Sequence, residues 1–425
     1  MLLCRTGFLL LCVAPTLFVG AAAVHYRSSS YLEARREEWA AVLSDKLGLN
    51  VQISQLSYPH WNTALLERVT LSDPETGDEI LCTRYVEVTL EQGVWQVVAG
   101  QPEVHSASLP LLAELLQARL LRGQAVQLAP LHFQVNELTF RSEATAQTLQ
   151  NVAASLTNVE TGKRLEVQFQ LAGQEKSPPY RLAIERTRSA GGPTTTCRLQ
   201  SAEAPLPCGA LLPVAPWLEQ FGSDATFQGE ATWQQSTTGV TSEVAGILRA
   251  VDLDLLSRAR FPHHRLTGQA EITLDHLQMS HGRIVQLSGS LQVHGGGKIS
   301  RSLLAAMQQQ LALAPDVPSP RVPLISYAQF AFGLQLDSEG LSLTGDANPA
   351  NSGVIMASAA NGPLLQESPD SVVPAVHVIN ILSPHSDLQI PATEEAKSLL
   401  ELLPLPESQS PDDQPPSANN LRLHE

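Results

Sequence analysis

Apolar residues recur along this chain with three successive periods. From Thr6 to Val24 about nineteen residues pass without a charge, enough for one bilayer-spanning helix at 1.5 Å per residue. Within 31–47 the apolar positions Leu32, Trp39, Leu43 and Leu47 fall on one face at near-helical spacing. Ser30-Tyr31-Leu32-Glu33 reads as a capping box opening that helix, and Gly48 as its left-handed stop. From residue 51 the period drops to two. Val51 and Ile53 alternate, then the phase slips so that Leu56 and Tyr58 carry on, which predicts a bulge or turn near Ser54-Gln55.

Strand patterns dominate the rest. Val69 and Leu71 lead into the turn Asp73-Pro74-Glu75-Thr76-Gly77, and Val86, Val88 and Leu90 alternate after it. A leucine-rich helix is predicted over 109–122, with Pro110 at its start and Gly123 at its end. Three stretches alternate cleanly and supply a candidate apolar sheet face: Leu131, Phe133 and Val135; Leu165, Val167, Phe169 and Leu171; Phe330, Phe332, Leu334 and Leu336. Between them runs a repeat of about forty residues, Gly229 to Arg258 and then Gly268 to Leu313, each copy reading strand, strand, strand, helix. Val372 to Leu382 reads as a further strand and Glu394 to Leu403 as a short helix. From Pro404 the chain is Pro, Ser, Asp and Gln with little to bury, the composition of disorder.

The expected fold is therefore mainly β with interspersed helices (α+β), an elongated, twisted antiparallel sheet, groove-like in form, following an N-terminal membrane helix. The expected divisions are 1–24 membrane anchor or signal segment, 25–48 amphipathic helix, 49–200 first β-rich region, 201–345 repeat region with helices, 346–403 terminal strand and helix, and 404–425 disordered tail. In the first segment Ala21-Ala22-Ala23 offers a signal-peptidase site, so cleavage after Ala23 competes with a retained anchor. Either outcome exports the bulk of the chain. The helix that follows can pack on the domain behind it or lie on the membrane surface, helped by Arg35 and Arg36.

Composition narrows function mainly by exclusion. A net charge of −15 with five lysines and no basic stripe argues against nucleic acid. Of the five cysteines, Cys4 and Cys12 lie in or beside the apolar run, and no C-x-x-C occurs. Cys197 and Cys208 could close a short disulfide loop in an oxidising compartment, or remain two buried thiols. Nucleotide-binding loops, nucleophile elbows and zinc-protease helices are absent as motifs. His263-His264 is the one adjacent histidine pair, and neighbours on a strand point to opposite faces, so they would not converge on a metal. Asp252 and Asp254 read as cap and first-turn acids of a helix. Arg283 reads as a turn residue, and Trp217 and Trp233 as core anchors. No cofactor, metal or catalytic residue is expected, and the chain is read as a non-enzyme.

The order of features resembles the opening of AsmA-like proteins, the TamB-related envelope family. The resemblance is carried by the apolar run, the helix and then Leu47-Gly48-Leu49-Asn50-Val51-Gln52-Ile53, where a Leu-Gly step feeds a strand of alternating Val and Ile. Residues 66–73 resemble the family's next strand and turn, and the Gly-x-Ala and Gly-x-Leu strands around 229–313 resemble its C-terminal half. The resemblance implies a single-pass inner-membrane anchor at 6–24 and a periplasmic β-rich body. It also implies a role in envelope or outer-membrane biogenesis, with phospholipid or another acyl-chain lipid, and envelope proteins, as partners. The rival readings are a secreted or surface β-rich scaffold or adhesion protein without a lipid role, and an enzyme of unrecognised type.

Overall fold

The computed structural model describes residues 28–115, 130–141, 146–189, 191–260, 264–313, 322–347, 353–359, 362–367 and 372–377, less positions 175, 202, 213, 214, 312 and 376. It also describes the isolated positions 16, 17, 26, 121 and 402. The anchor reading of 6–24, the helix over 394–403 and the tail 404–425 thus lie almost wholly outside the described residues. Among the described residues no helix is long and apolar enough to cross a membrane. The described chain is mainly β and divides into two compact units, Met1–Glu219 with Gln228–Thr238, and Gln220–Phe227 with Gly239–Glu425.

The first unit opens with the helix Ser29–Leu47. Its N-cap is Ser28, whose side chain makes no capping bond, so the capping box expected at Ser30 is not formed. Gly48 stops it as expected, at φ 71°, with its N–H donating to the Ser44 carbonyl at 2.8 Å. Trp39, Ala40, Leu43 and Leu47 pack against Val51, Ile53, Leu56 and Leu66. Arg36 donates to the Ser54 carbonyl at 3.3 Å, and Arg35 bonds Glu38 and Tyr31. The helix is thus docked on the sheet behind it through a stripe confined to its C-terminal half.

This unit's sheet begins with β1 (Asn50–His60), β2 (Thr63–Ser72), β3 (Glu79–Glu91), β4 (Val94–Gly100), β5 (Glu103–His105), β6 (Leu131–Arg141) and β7 (Ala146–Val159). Then come β8 (Gly162–Leu171), β9 (Tyr180–Ser189), β10 (Gly192–Gln200), the two-residue β11 (Leu206–Pro207) and β12 (Thr226–Ser236). Most neighbours are antiparallel, but β6 runs parallel to both β4 and β5. The all-antiparallel expectation is corrected here. The return from β5 to β6 passes through residues 106–130, beginning with the helix Leu109–Leu115, and a connection of that length permits a parallel neighbour.

The phase slip expected near Ser54-Gln55 is present, but it is not confined to one strand. Inward positions step by three at Ile53 to Leu56 on β1, Leu66 to Val69 on β2 and Val135 to Leu138 on β6. Pairing is unchanged on either side of the step: Ile53 opposes Val69 and Leu56 opposes Leu66, while Val135 opposes Val152 and Leu138 opposes Leu149. Arg68 on β2 and Asn151 on β7 take left-handed φ values of 48° and 50° at this seam. β1, β2 and β3, and likewise β6 and β7, take the extra residue in step with one another, so the same face stays apolar along each of them, whereas β8 has no such step and its pairing with β7 shifts register there.

The second unit contains β13 (Gly239–Asp252), the helix Leu253–Arg260, β14 (Leu266–Ser280), β15 (Arg283–Ser300) and the helix Arg301–Gln310. After these come β16 (Leu324–Tyr327), β17 (Gln329–Leu336), β18 (Leu341–Gly345), β19 (Val354–Ser358) and β20 (Gly362–Gln366). Pairing is antiparallel along β13–β14–β15–β17–β18, with β16 also on β15, and β19 joining β17 to β20. The repeat is present in altered form. Each copy ends in a helix, but its second and third expected strands are one long strand, β13 or β15. Gly246 and Gly289 lie inside these long strands: β13 shifts register between Val244 and Gly246, and a Cβ at Gly289 would lie 2.1 Å from the Thr273 carbonyl oxygen. Asp252 caps the first helix, accepting from the Asp254 and Leu255 amides, and Asp254 pairs with Arg258 four residues on.

Candidate functional site

The alternating stretches at 131–135 and 165–171 belong to one face of one sheet. Leu131 opposes Leu156, Leu156 opposes Leu165, and Leu165 opposes Ile184. Ile184 opposes Cys197, Cys197 opposes Trp233, and the parallel pairing sets Trp95 beside Leu131. A second row runs Val88, Val97, Phe133, Ala154, Val167, Leu182, Leu199 and Ala231. A third holds Val86, Ala99, Val135 and Val152 and, past a register shift in β7, Phe169 and Tyr180. Side-chain direction has period two along every strand, so these rows make a continuous apolar surface.

Burial grades across the rows. The third is closed: Val135 and Tyr180 are buried and pack with Ala204 and with Leu206, which is 0 % exposed. The first two are open in part. Leu131, Phe133, Leu165, Val167, Leu182 and Ile184 are half-buried, and Leu90 and Trp233 are 42 % exposed. The reading of Trp233 as a core anchor is corrected by that exposure: it stands near the end of β12, in the outermost apolar row. Trp217, 59 % exposed in the short turn Pro216–Phe221, is no core anchor either.

The opposite face of the same strands is polar and charge-paired. Arg164 donates through Nε and Nη2 to Glu185 at 2.9 and 2.7 Å, and Arg198 meets Glu230 at 2.8 Å. A shallow hollow of about 410 Å³ lies over this face, among Arg164, Glu166, Arg181, Glu185 and Arg198. Its arginines and glutamates answer one another, the usual arrangement of a solvated sheet surface.

Beyond the first apolar row the apolar face turns polar. Asn158 opposes Lys163, Lys163 opposes Arg186, Arg186 opposes Thr195, and Thr195 opposes Gln235. Lys163 and Arg186 are each only 8 % exposed. Neither residue has a role in the sequence-based expectations above. The signal available was parity: 163 continues the series 165, 167, 169, 171.

In the second unit the stretch 330–336 builds a core. Val251, Ala270, Val293 and Phe330 form one row, and Leu277, Leu287, Leu336 and Leu341 another. Phe330 is 3 % and Leu336 4 % exposed, packed in a cluster with Leu303 and Leu304 of the helix Arg301–Gln310. Those two candidate residues are therefore closed over, whereas Phe332 and Leu334 stay half-buried.

Cys197 and Cys208 are free, buried thiols, not a disulfide. Burial pushes the Cys197 thiol up to about 12, far from the thiolate needed for nucleophilic chemistry. His264 is buried, with the Ser302 hydroxyl 3.4 Å from its Nδ1, and its partner in the pair, His263, lies outside the described residues. Among the described residues no group of three or more His, Cys, Asp or Glu is placed to hold a metal ion. Arg283 opens β15 directly after the turn at His281-Gly282. No protein-family model matches the chain, and no curated protein matches it.

Proposed function

We propose that this chain is a membrane-anchored, periplasmic protein of cell-envelope biogenesis, similar to the AsmA-like family, that binds or hands over lipids along the apolar face of its first unit. The observation that supports this reading is the alignment of apolar rows across β4, β6, β7, β8, β9 and β10, half-buried at Leu131, Phe133, Leu165, Val167, Leu182 and Ile184 and closed at Leu156, Cys197 and Leu199, backed by a charge-paired outer face. Each buried CH₂ of an acyl chain laid on such a surface contributes roughly 0.8 kcal/mol, so a long chain needs no dedicated polar contact to bind. The apolar run 6–24 supplies the proposed anchor, and the resemblance at 47–53 supplies the compartment.

The test is mass spectrometry of lipids that copurify with the full chain. Acyl-chain lipid is expected on the wild-type protein and depleted on a Val167→Asp, Leu182→Asp variant that keeps its β-sheet circular dichroism. A lipid-free wild-type protein overturns the reading. The closed packing of Phe330 and Leu336 favours a second reading for the other unit, that of a scaffold without a lipid surface. A mature N-terminus at Val24 would extend that scaffold reading to the whole chain.

A further inference from the structure

We infer that one corner of the first unit, at the β1–β2 and β3–β4 turns, docks in the headgroup layer of a lipid bilayer through Tyr58, Trp61, Leu90 and Trp95. The inference rests on the anchored reading above and adds to it the surface that touches the membrane. Trp61 stands in the turn between β1 and β2 and is 95 % exposed. Tyr58, just before that turn, and Leu90, just before the next one on the same edge, are each 42 % exposed. Leu90 donates its N–H to the Asn62 carbonyl at 3.3 Å and opposes Trp95, which lies beside Leu131. The exposed tip therefore continues into the first apolar row. Single apolar residues scattered over a surface are ordinary, whereas large ones gathered at one edge mark a contact. Indole and phenol rings join an apolar body to a polar tip, which suits them to the boundary between headgroups and acyl chains.

The path of the chain brings its own apolar run to the same corner. The helix Ser29–Leu47 runs antiparallel to β1: the Val51 N–H donates to Ser44 Oγ near the helix's C-terminus, and Arg36, further back, reaches the Ser54 carbonyl. The N-terminal end of the helix, with the edge-to-face pair Tyr26 and Tyr31, is thus directed toward the β1–β2 turn. The uncharged stretch 6–24 ends five residues before Ser29. Five residues span at most about 18 Å, and the headgroup layer adds about 5–8 Å on each side of the hydrocarbon core. An apolar run seated in the bilayer therefore holds this corner within reach of the headgroups. The opposite ends of strands as long as the ten-residue β2 lie about 30 Å further away.

Flotation of the full chain with vesicles of phosphatidylethanolamine and phosphatidylglycerol, followed by tryptophan quenching with lipids brominated near the headgroup end of their acyl chains, tests the corner. The wild type is expected to float and to be quenched. Trp61 and Trp95 share the corner, so Trp61→Ala should remove about half of the quenching. Trp217→Ala, at a 59 % exposed tryptophan on the chain between the opposite ends of β10 and β12, should remove none. Because Trp61 is so exposed, its replacement should leave the urea midpoint in place, which separates lost membrane contact from lost fold. Flotation with quenching that Trp61→Ala leaves unchanged overturns the docking corner but not the anchor. Shielding of Trp61 from aqueous acrylamide without quenching by the brominated lipid assigns the corner to a protein neighbour and overturns the bilayer as its occupant. A wild type that does not float removes the anchored reading and the corner together.

Discussion

Ala250 holds a left-handed φ of 55° inside β13, where the strand shifts register between Leu248 and Val251. That conformation costs an L-residue about 1–2 kcal/mol that glycine avoids. Ala250→Gly should therefore raise the unfolding free energy by about 0.5–1 kcal/mol in urea titration, after glycine's greater chain entropy is deducted. Buried titratable groups set a second expectation. Burial lifts Cys197 from 9.0 to about 12 and Tyr327 from 10.0 to about 12. A group with a raised folded-state pKa holds its proton more tightly folded than unfolded, so its stabilising contribution is complete below the unfolded value and is lost as pH climbs through the window above it. The urea midpoint should thus fall between about pH 9 and pH 12, and Cys197→Ala should flatten the first part of that fall. Tyr327 also donates its hydroxyl to the Thr267 carbonyl at 2.6 Å. Its replacement by phenylalanine is expected to cost about 1 kcal/mol at neutral pH.

At the scale of elements, the strands at 131–135, 165–171 and 330–336 were legible because alternation is a local property of the chain. Whether an alternating strand faces a closed core or a part-open surface was not legible, since that depends on what covers it. Phe330 and Val167 carry the same local pattern and end with different exposures. The parallel placement of β6 was hidden for a related reason: period two does not distinguish parallel from antiparallel neighbours. The three expected strands of each repeat copy became two because glycine has two uses in β chains, reversal and close approach, and Gly246 and Gly289 lie within the long strands β13 and β15. Close approach can be tested. Gly289→Ala should cost about 2 kcal/mol or more, since its Cβ would meet the Thr273 carbonyl oxygen. Gly333→Ala on β17, where nothing lies nearer than 3.8 Å, should be tolerated. Comparing the two midpoints in one denaturant series decides the point. Lys163 and Arg186 escaped notice because a single sequence shows parity within a strand but not which residues lie opposite.

At the scale of the whole chain, each unit carries its own apolar cluster, one around Leu206 and Tyr180 and another around Leu304 and Ile299. Separate cores predict separate cooperative transitions. Leu206→Ala and Leu304→Ala, at 0 % and 1 % exposure, should each cost about 2–5 kcal/mol. In calorimetry each should lower one transition and leave the other in place. A single transition lowered by both substitutions would show that the units melt as one. The stepped seam at Ile53, Leu66 and Val135 bears on kinship as well as on stability. Deleting Ser54 alone would slide half of β1 by one residue and turn its apolar set outward. Length changes there survive only when neighbouring strands change together. Relatives of this chain should therefore preserve the three-residue step at matching places on successive strands long after the residues themselves have diverged, and a search for that spacing would find them where a search for identities returns nothing.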